Sequence, residues 1–124
     1  MNIKKIFVAD DSILTRKQLT SILEEGGYEI IGTAVNGSEA VLYYSELKEN
    51  VDLVTLDITM PVMDGIEALE KILEINPKAN VIMVSSMGKE NIIQKCLSIG
   101  AKGFIVKPFY TKRIFDAIKR IEAV

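Results

Sequence analysis

The sequence predicts an α/β protein built from five strand–helix units, (βα)5, as a doubly wound, five-stranded parallel sheet. Two observations support this fold class. Short apolar runs rich in Ile and Val alternate with longer segments whose apolar residues recur three and four positions apart. Most of the runs lack polar alternation, which is typical of strands covered on both faces. Strands that alternate with helices predict a parallel sheet with right-handed crossovers and helices on both sides.

The predicted strands and helices follow each other without a linker, repeat or low-complexity tract. The strands cover residues 3–9, 28–34, 51–56, 81–84 and 104–106. Apolar residues at helical spacing predict helices over residues 12–25 and 64–75, and a final helix with the clearest apolar stripe. That stripe consists of Ile114, Phe115, Ile118 and Ile121.

Local signals predict where the helices begin and end. Asp64, with Glu67 three residues later, forms a capping box at the start of the third helix. Glycine suits helix C-terminal caps, where a positive φ is needed, and the candidates are Gly26, Gly27 and Gly100. The other predicted boundaries are starts within residues 36–38 and at Thr111, and a stop at Asn76-Pro77.

Composition excludes several classes of protein. The 124 residues suit a single domain, and 15 basic against 17 acidic residues give no reason to expect nucleic acid or an anionic membrane as partner. Cys96 is the only cysteine, so we expect a core thiol, no internal disulfide and a reducing, cytoplasmic location. No apolar run approaches the roughly 18 residues of a membrane helix. The absence of histidine excludes His-based catalysis and a phosphohistidine on this chain.

Polar residues follow four of the five predicted strands. Asp10-Asp11 end the first strand, Asp57 the third, Ser85-Ser86 the fourth and Lys107-Pro108 the fifth. In open α/β sheets the ligand binds outside the carboxyl ends of the strands, where the strand order reverses. We therefore expect three carboxylates, a hydroxyl and an ammonium group along one edge of the sheet.

Each of these residues also has a purely structural interpretation. Asp11 could cap the helix that begins near Ser12, and Asp57 could be a turn residue. Ser85 could bond only to nearby backbone, and Lys107 could simply extend into water. Their joint occurrence at one sheet edge favours a functional site over four independent structural roles.

The residue types indicate phosphoryl chemistry. Clustered carboxylates raise one another's pKa, and a hard divalent cation removes that conflict. Mg²⁺ suits a site of few carboxylates plus waters, and the sequence has no dedicated calcium loop. Asp57 could then attack phosphorus while the metal and Lys107 screen the oxygens and Ser85 donates a hydrogen bond.

Four motifs, "VADDS", "LDITMPVMDG", "VSSMG" and "FIVKPF", resemble the receiver domains of two-component response regulators, specifically the CheY-like chemotaxis type. The resemblance spans essentially the whole chain, so residues 1–124 are expected to form one receiver domain. It implies a flavodoxin-like sheet in the order 2-1-3-4-5 and a histidine kinase as phosphoryl donor.

The resemblance also implies the acceptor and the metal ligands. Asp57 would be the phospho-acceptor and a ligand of Mg²⁺ or Mn²⁺. Asp10 and Asp11 would hold the same ion, one of them through water, and the backbone carbonyl of Thr59 would complete the protein ligands. The Thr59 side chain occupies a position that tunes the lifetime of the phosphoryl group, so that lifetime stays open.

A second set of residues is implied to report phosphorylation. Lys107 would contact the phosphoryl group, and its bond to Pro108 would be cis. Ser85 would close on a phosphoryl oxygen, and the Phe104 rotamer would follow it. Ser86 stands where the family usually has alanine, and its hydroxyl could alter dephosphorylation.

These implications describe a protein that catalyses its own phosphorylation and dephosphorylation without being a turnover enzyme. If the 124 residues are the whole product, output is a protein contact, such as docking on a flagellar motor switch protein. We expect a monomer, with dimerisation on phosphorylation possible.

Three alternatives remain at this stage. The chain could be a receiver excised from a DNA-binding transcriptional regulator. It could be a haloacid-dehalogenase-type phosphatase, although that class has an aspartate two residues after its nucleophile, where this chain has Thr59. A flavodoxin-like electron carrier would need a neutral loop for the FMN phosphate, which Asp10 and Asp11 would repel.

Overall fold

The structure, a computed structural model, describes residues 2–123. The ends of the predicted domain, residues 1 and 124, lie outside this range. Ten elements alternate strictly: β1 (Lys5–Ala9), α1 (Ile13–Glu25), β2 (Glu29–Ala34), α2 (Gly37–Leu47), β3 (Leu53–Leu56), α3 (Gly65–Ile75), β4 (Val81–Ser85), α4 (Glu90–Ile99), β5 (Gly103–Val106) and α5 (Thr111–Glu122). A short 3₁₀ helix, Lys48–Asn50, follows α2.

All strand pairs are parallel, and the sheet order is β2-β1-β3-β4-β5. The structure confirms the predicted fold class and strand order. The chain moves outward from β1 to β2, returns to β3 on the other side of β1, and continues to β5. The carboxyl ends of β1 and β3 therefore lie side by side where the strand order reverses.

Two hydrophobic cores cover the two faces of the sheet. Helices α1 and α5 pack on one face, and α2, α3 and α4 pack on the other. Successive strand residues enter opposite cores, so Val8 faces α1 and α5 while Phe7 faces the other helices. Cys96 is fully buried in the second core, as predicted.

Three predicted strands begin one or two residues later than the apolar pattern indicates: β1 at Lys5, β2 at Glu29 and β3 at Leu53. The Ile3 N–H donates to Glu122 Oε2, and the Lys4 N–H donates to Asp52 Oδ2, each at 2.9 Å. Because side chains take these two N–H groups, β1 begins only at Lys5.

The helix ends agree closely with the local signals. Gly27 and Gly100 have φ of 92° and 136°, and α3 ends at Ile75 with Asn76 as its C-cap. The α1 cap is Ser12, whose side chain accepts from the Thr15 N–H. The alternative in which Asp11 caps this helix is therefore wrong.

No helix within residues 2–123 combines the length and the apolar character needed to cross a membrane.

Gly65 allows α3 to begin directly against the backbone of the third strand. Its N–H donates to the Ile58 carbonyl at 2.8 Å, and a Cβ at this position would lie 1.9 Å from the Asp57 carbonyl oxygen. Close approach of α3 thus anchors the backbone of Asp57.

We expect Gly65→Ala to lower the free energy of unfolding by roughly 3 kcal/mol, because the backbone has no room for a methyl group. Urea denaturation measures the change. Gly103→Ala is the control, since its Cβ would meet only ordinary contacts at 3.5 Å or more. Equal stability of the two variants would contradict the close packing of α3 on Asp57.

Candidate functional site

Three carboxylates meet at the carboxyl edge of the sheet. Ligand oxygens of Asp10, Asp11 and Asp57 all lie within 4.8 Å of one another. Ala9 and Leu56 pair in register, so β1 and β3 end at the same level and deliver Asp10 and Asp57 side by side. These two residues are 1% and 5% exposed, whereas Asp11 is exposed. The structure therefore brings together the three acids that the sequence pattern selected.

Lys107 places its ammonium group between the two buried acids. Its Nζ lies 2.8 Å from Asp10 Oδ2 and 3.4 Å from Asp57 Oδ2. The residue directly follows β5, so its side chain extends past the end of β4 to reach β3 and β1. Its N–H donates to the Ser85 carbonyl at 2.9 Å, and its bond to Pro108 is cis. One cation thus neutralises part of the negative charge.

Burial and a neighbouring negative charge disfavour the ionised form of Asp57. Burial raises the pKa of its carboxyl above the ordinary value of 3.8, and the neighbouring Asp10 charge raises it further. The Lys107 charge and hydrogen bond and the Ile58 N–H act in the opposite direction without cancelling the effect of burial. The pocket is therefore short of positive charge at the residue predicted to be the nucleophile.

The loop between β1 and α1 is held by hydrogen bonds to Asp10. Its Oδ1 accepts from the Ser12 N–H at 2.9 Å, and its backbone carbonyl accepts from Arg16 Nη1 at 2.8 Å. The Asp11 carboxylate has no hydrogen-bond or ion-pair partner within residues 2–123. The sequence analysis missed Arg16, although an arginine one turn into the helix after an acidic strand end is a usable signal.

The loop after β3 approaches the loop after β4. The Thr59 hydroxyl donates to Met87 Sδ at 3.3 Å, an interaction that the sequence did not indicate. No donor in the described part of the chain hydrogen-bonds the Thr59 carbonyl oxygen, the group predicted as a metal ligand. The two loops together border the acidic pocket.

Ser85 and Phe104 lie on the opposite face of the sheet from Lys107. Ser85 is fully buried, and its hydroxyl accepts from the Met87 N–H at 3.1 Å, with no hydrogen bond to Asp57. Phe104 is half-buried against the α2–α4 core and pairs in register with Met83, two residues before Ser85. The predicted switch residues are therefore diagonal neighbours on adjacent strands.

The comparisons with known proteins agree with this geometry. The response regulator receiver domain family matches residues 6–119. The chain belongs to this family of response regulator receiver domains.

Several proteins that are similar to the chain over nearly its whole length are chemotaxis regulators. The chain is 47% identical over 117 residues to chemotaxis protein CheY of Treponema pallidum, covering 94% of this chain and 81% of that protein. It is 43% identical over 118 residues to CheY of Thermotoga maritima, covering 95% and 97%. A crystal structure of a CheX–CheY–BeF₃–Mg²⁺ complex from Borrelia burgdorferi matches with a TM-score of 0.94 and 46% identity, over 95% of this chain and 88% of that one.

These similarities do not favour the phosphatase or the flavodoxin-like electron carrier. Relatives at 43–47% identity over nearly the whole chain carry the name of a chemotaxis regulator.

We expect Asp57→Asn to stabilise the metal-free protein at neutral pH. Because the folded-state pKa of Asp57 is raised, the folded state binds more protons than the unfolded state between pH 3.8 and that raised value. Stability therefore falls as pH rises through this window, and asparagine removes the cost. The advantage of the variant disappears as pH approaches the ordinary range of aspartate. Urea denaturation in chelator across pH measures it.

Asp116→Asn serves as the control for this experiment. Asp116 is 46% exposed in its side chain and pairs with Lys112 at 3.2 Å on the surface of α5, so its loss is worth at most about 1 kcal/mol. A less stable Asp57→Asn protein at neutral pH would mean that pairing with Lys107 outweighs the cost of burial.

Proposed function

We propose that this receiver domain, residues 1–124, accepts a phosphoryl group from a histidine kinase on Asp57 and controls a partner protein in chemotaxis. The observation that carries the proposal is the position of Asp57. It is a nearly buried carboxylate beside the Lys107 ammonium and two further carboxylates, at the point where the strand order reverses. The similarity to chemotaxis regulators supports the biological process.

The donor set fits Mg²⁺, with Mn²⁺ as an alternative. Asp10, Asp11 and Asp57 offer clustered carboxylate oxygens, and Thr59 offers a carbonyl oxygen without another partner. Hard divalent cations prefer oxygen ligands of this kind. When bound, the ion would supply positive charge to the carboxylates and to the phosphoryl oxygens.

The protein's own residues then perform the transfer. An Asp57 carboxylate oxygen attacks the phosphorus of the donor phosphohistidine in line with the P–N bond. The new O–P bond forms as the P–N bond breaks, and its electron pair stays on the imidazole of the kinase. Lys107 needs little movement, because its ammonium group already lies 3.4 Å from Asp57 and screens charge on the transferred group.

Phosphorylation would change the hydrogen bonds of Ser85. The phosphoryl group brings roughly two negative charges and strong acceptor oxygens. In the present structure the Ser85 hydroxyl accepts from Met87, so it must turn to donate to a phosphoryl oxygen. Charge-assisted bonds to Ser85 and Lys107 contribute about 1.5–3 kcal/mol each. Together they approach the roughly 5.5 kcal/mol that swings a two-state equilibrium from 1:99 to 99:1.

The switch would reach the surface through Phe104. Movement of Ser85 and its loop alters the space beside Phe104, its diagonal neighbour on the same face of the sheet. Phe104 also lines a groove of about 50 Å³ between β5 and α5, whose charged residues are Lys102, Arg113, Arg120 and Asp116. A change in its rotamer would therefore remodel the face formed by α4, β5 and α5.

The segment that contains α4, β5 and α5 is basic, which suits an acidic partner. Residues 86–124 contain eight basic and three acidic residues, whereas residues 1–85 contain seven basic and fourteen acidic ones. Strand β5 is also an edge strand, so one side of its backbone is open to a partner. We assign this face to an output protein with an acidic docking segment, such as a flagellar motor switch protein or a protein like the CheX of the Borrelia complex. We expect no turnover reaction, a cytoplasmic location and a monomer before phosphorylation.

Incubation with acetyl phosphate and Mg²⁺ is expected to add one phosphoryl group, at Asp57. This carboxylate lies beside Lys107 and the other acids, whereas both oxygens of Asp10 already accept hydrogen bonds, from the Ser12 N–H and from Lys107. Intact mass spectrometry measures the adduct. Chelator or Asp57→Asn should abolish it, and the control Asp116→Asn should not. An adduct that persists in Asp57→Asn would overturn the assignment of the acceptor, and continuous hydrolysis of phosphate esters would favour a phosphatase.

Ser85→Ala should still become phosphorylated but should lower the active-to-inactive ratio by roughly tenfold or more, since one charge-assisted bond is lost. Amide chemical shifts of α4, β5 and α5, followed by NMR as the protein is phosphorylated, report this ratio. Ser45→Ala is the control, because Ser45 is exposed on α2, away from the acidic pocket. Full shifts at Phe104 in Ser85→Ala would contradict the coupling.

A further inference from the structure

At the end of β1, the N–H of Asp10 has a strand partner, whereas its carbonyl oxygen has none. Its N–H continues the ladder to β2 by donating to the Ala34 carbonyl at 3.0 Å. Its carbonyl faces the same side, but β2 ends at Ala34, and no backbone N–H in the described part of the chain donates to it. Asp10 is 1% exposed, and a buried carbonyl without a donor is costly. The strand end therefore requires a donor from outside the sheet.

Arg16 supplies that donor. It lies in the first turns of α1, where its N–H bonds to the Ser12 carbonyl, and its Nη1 reaches back to the Asp10 carbonyl at 2.8 Å. Arg16 is half-buried, and no hydrogen bond or ion pair joins it to a carboxylate in the described part of the chain. It thus acts on the backbone of the acidic loop, whereas Lys107 acts on the acids themselves.

Fixing this carbonyl also fixes the following residue. The Asp10 carbonyl and the Asp11 N–H belong to one rigid peptide plane, so an anchor on the oxygen sets the direction in which the Asp11 backbone leaves. The Asp11 side chain has no hydrogen bond of its own to hold it. Its place within 4.8 Å of the other carboxylates therefore depends on the backbone that Arg16 holds.

We propose that Arg16 is a positioning residue for the divalent-cation site. Its hydrogen bond to the Asp10 carbonyl fixes the Asp10–Asp11 peptide, and this peptide directs the Asp11 carboxylate into the pocket. The inference rests on the proposed function, in which the acidic cluster binds Mg²⁺. Hydrogen-bond partners of metal ligands typically affect metal affinity by ten- to a hundredfold.

If the role of Arg16 were purely electrostatic, its removal would change the Mg²⁺ affinity in the opposite direction. Arg16 is a cation near the acidic cluster, so its removal would reduce repulsion of Mg²⁺ and strengthen binding. Loss of positioning would instead weaken binding. The direction of the change therefore separates the two roles.

The test is calorimetric titration of Mg²⁺ into metal-free wild-type, Arg16→Met, Arg16→Lys and Lys17→Met proteins. Lys17 is the matched control, because it is an exposed cation on the same helix and its side chain makes no hydrogen bond to Asp10. We expect Arg16→Met to bind Mg²⁺ about tenfold more weakly, Arg16→Lys to recover part of the loss through its ammonium donor, and Lys17→Met to bind at least as tightly as wild type.

Further readouts separate positioning from loss of the fold. The Asp11 amide resonance of the metal-free protein should shift in Arg16→Met and stay in place in Lys17→Met. Circular dichroism establishes that each variant is folded, and Arg16→Ala, which also removes the side-chain donor, replaces Arg16→Met if that protein does not fold. Mg²⁺ affinity unchanged or increased in the arginine variant would overturn the inference. Absence of Mg²⁺ binding in wild type would instead overturn the proposed function.

Discussion

The Lys107 ammonium group lies between two nearly buried carboxylates that the parallel sheet brings together at its carboxyl edge. It is 2.8 Å from Asp10 and 3.4 Å from Asp57. Neighbouring strands that end level cannot keep these acids apart, and burial makes their shared charge expensive. Lys107 is 97 residues from Asp10 in the chain, so their contact exists only when β1, β3, β4 and β5 are all assembled. The fold and the charge balance of the pocket therefore depend on each other.

Because side chains alternate along each strand, the predicted site residues fall on two faces of the sheet. Asp10, Asp57 and Lys107 belong to the phase that faces α1 and α5, while Ser85 and Phe104 belong to the phase that faces α4. A phosphoryl group on Asp57, as proposed, would meet Ser85 at the carboxyl edge that both faces share, and Phe104 lies on the same face as Ser85. The close approach of Gly65 to the Asp57 carbonyl holds the backbone of this residue in place.

Much of the fold could be predicted because its signals are local. Apolar patterns located the five strands and the helices α1, α3 and α5, and Asp64, Gly27 and Gly100 marked boundaries through their own backbone and capping chemistry. The largest error with a visible cause is the start of β1. It depends on Glu122 and Asp52, whose carboxylates accept from the Ile3 and Lys4 N–H groups although they lie far away in the chain. A local pattern carries no information about such partners.

For the site, the sequence by itself determined the chemistry, since the residue types at the strand ends already specify three acids, a hydroxyl and an ammonium group. Only the tertiary structure decided how they are arranged: that Lys107 bridges Asp10 and Asp57, that Arg16 takes the Asp10 carbonyl, and that Met87 meets Thr59. The physical reason is range. Capping and periodicity act over a few residues, whereas hydrogen bonds and ion pairs between loops depend on the distances that the packed sheet imposes.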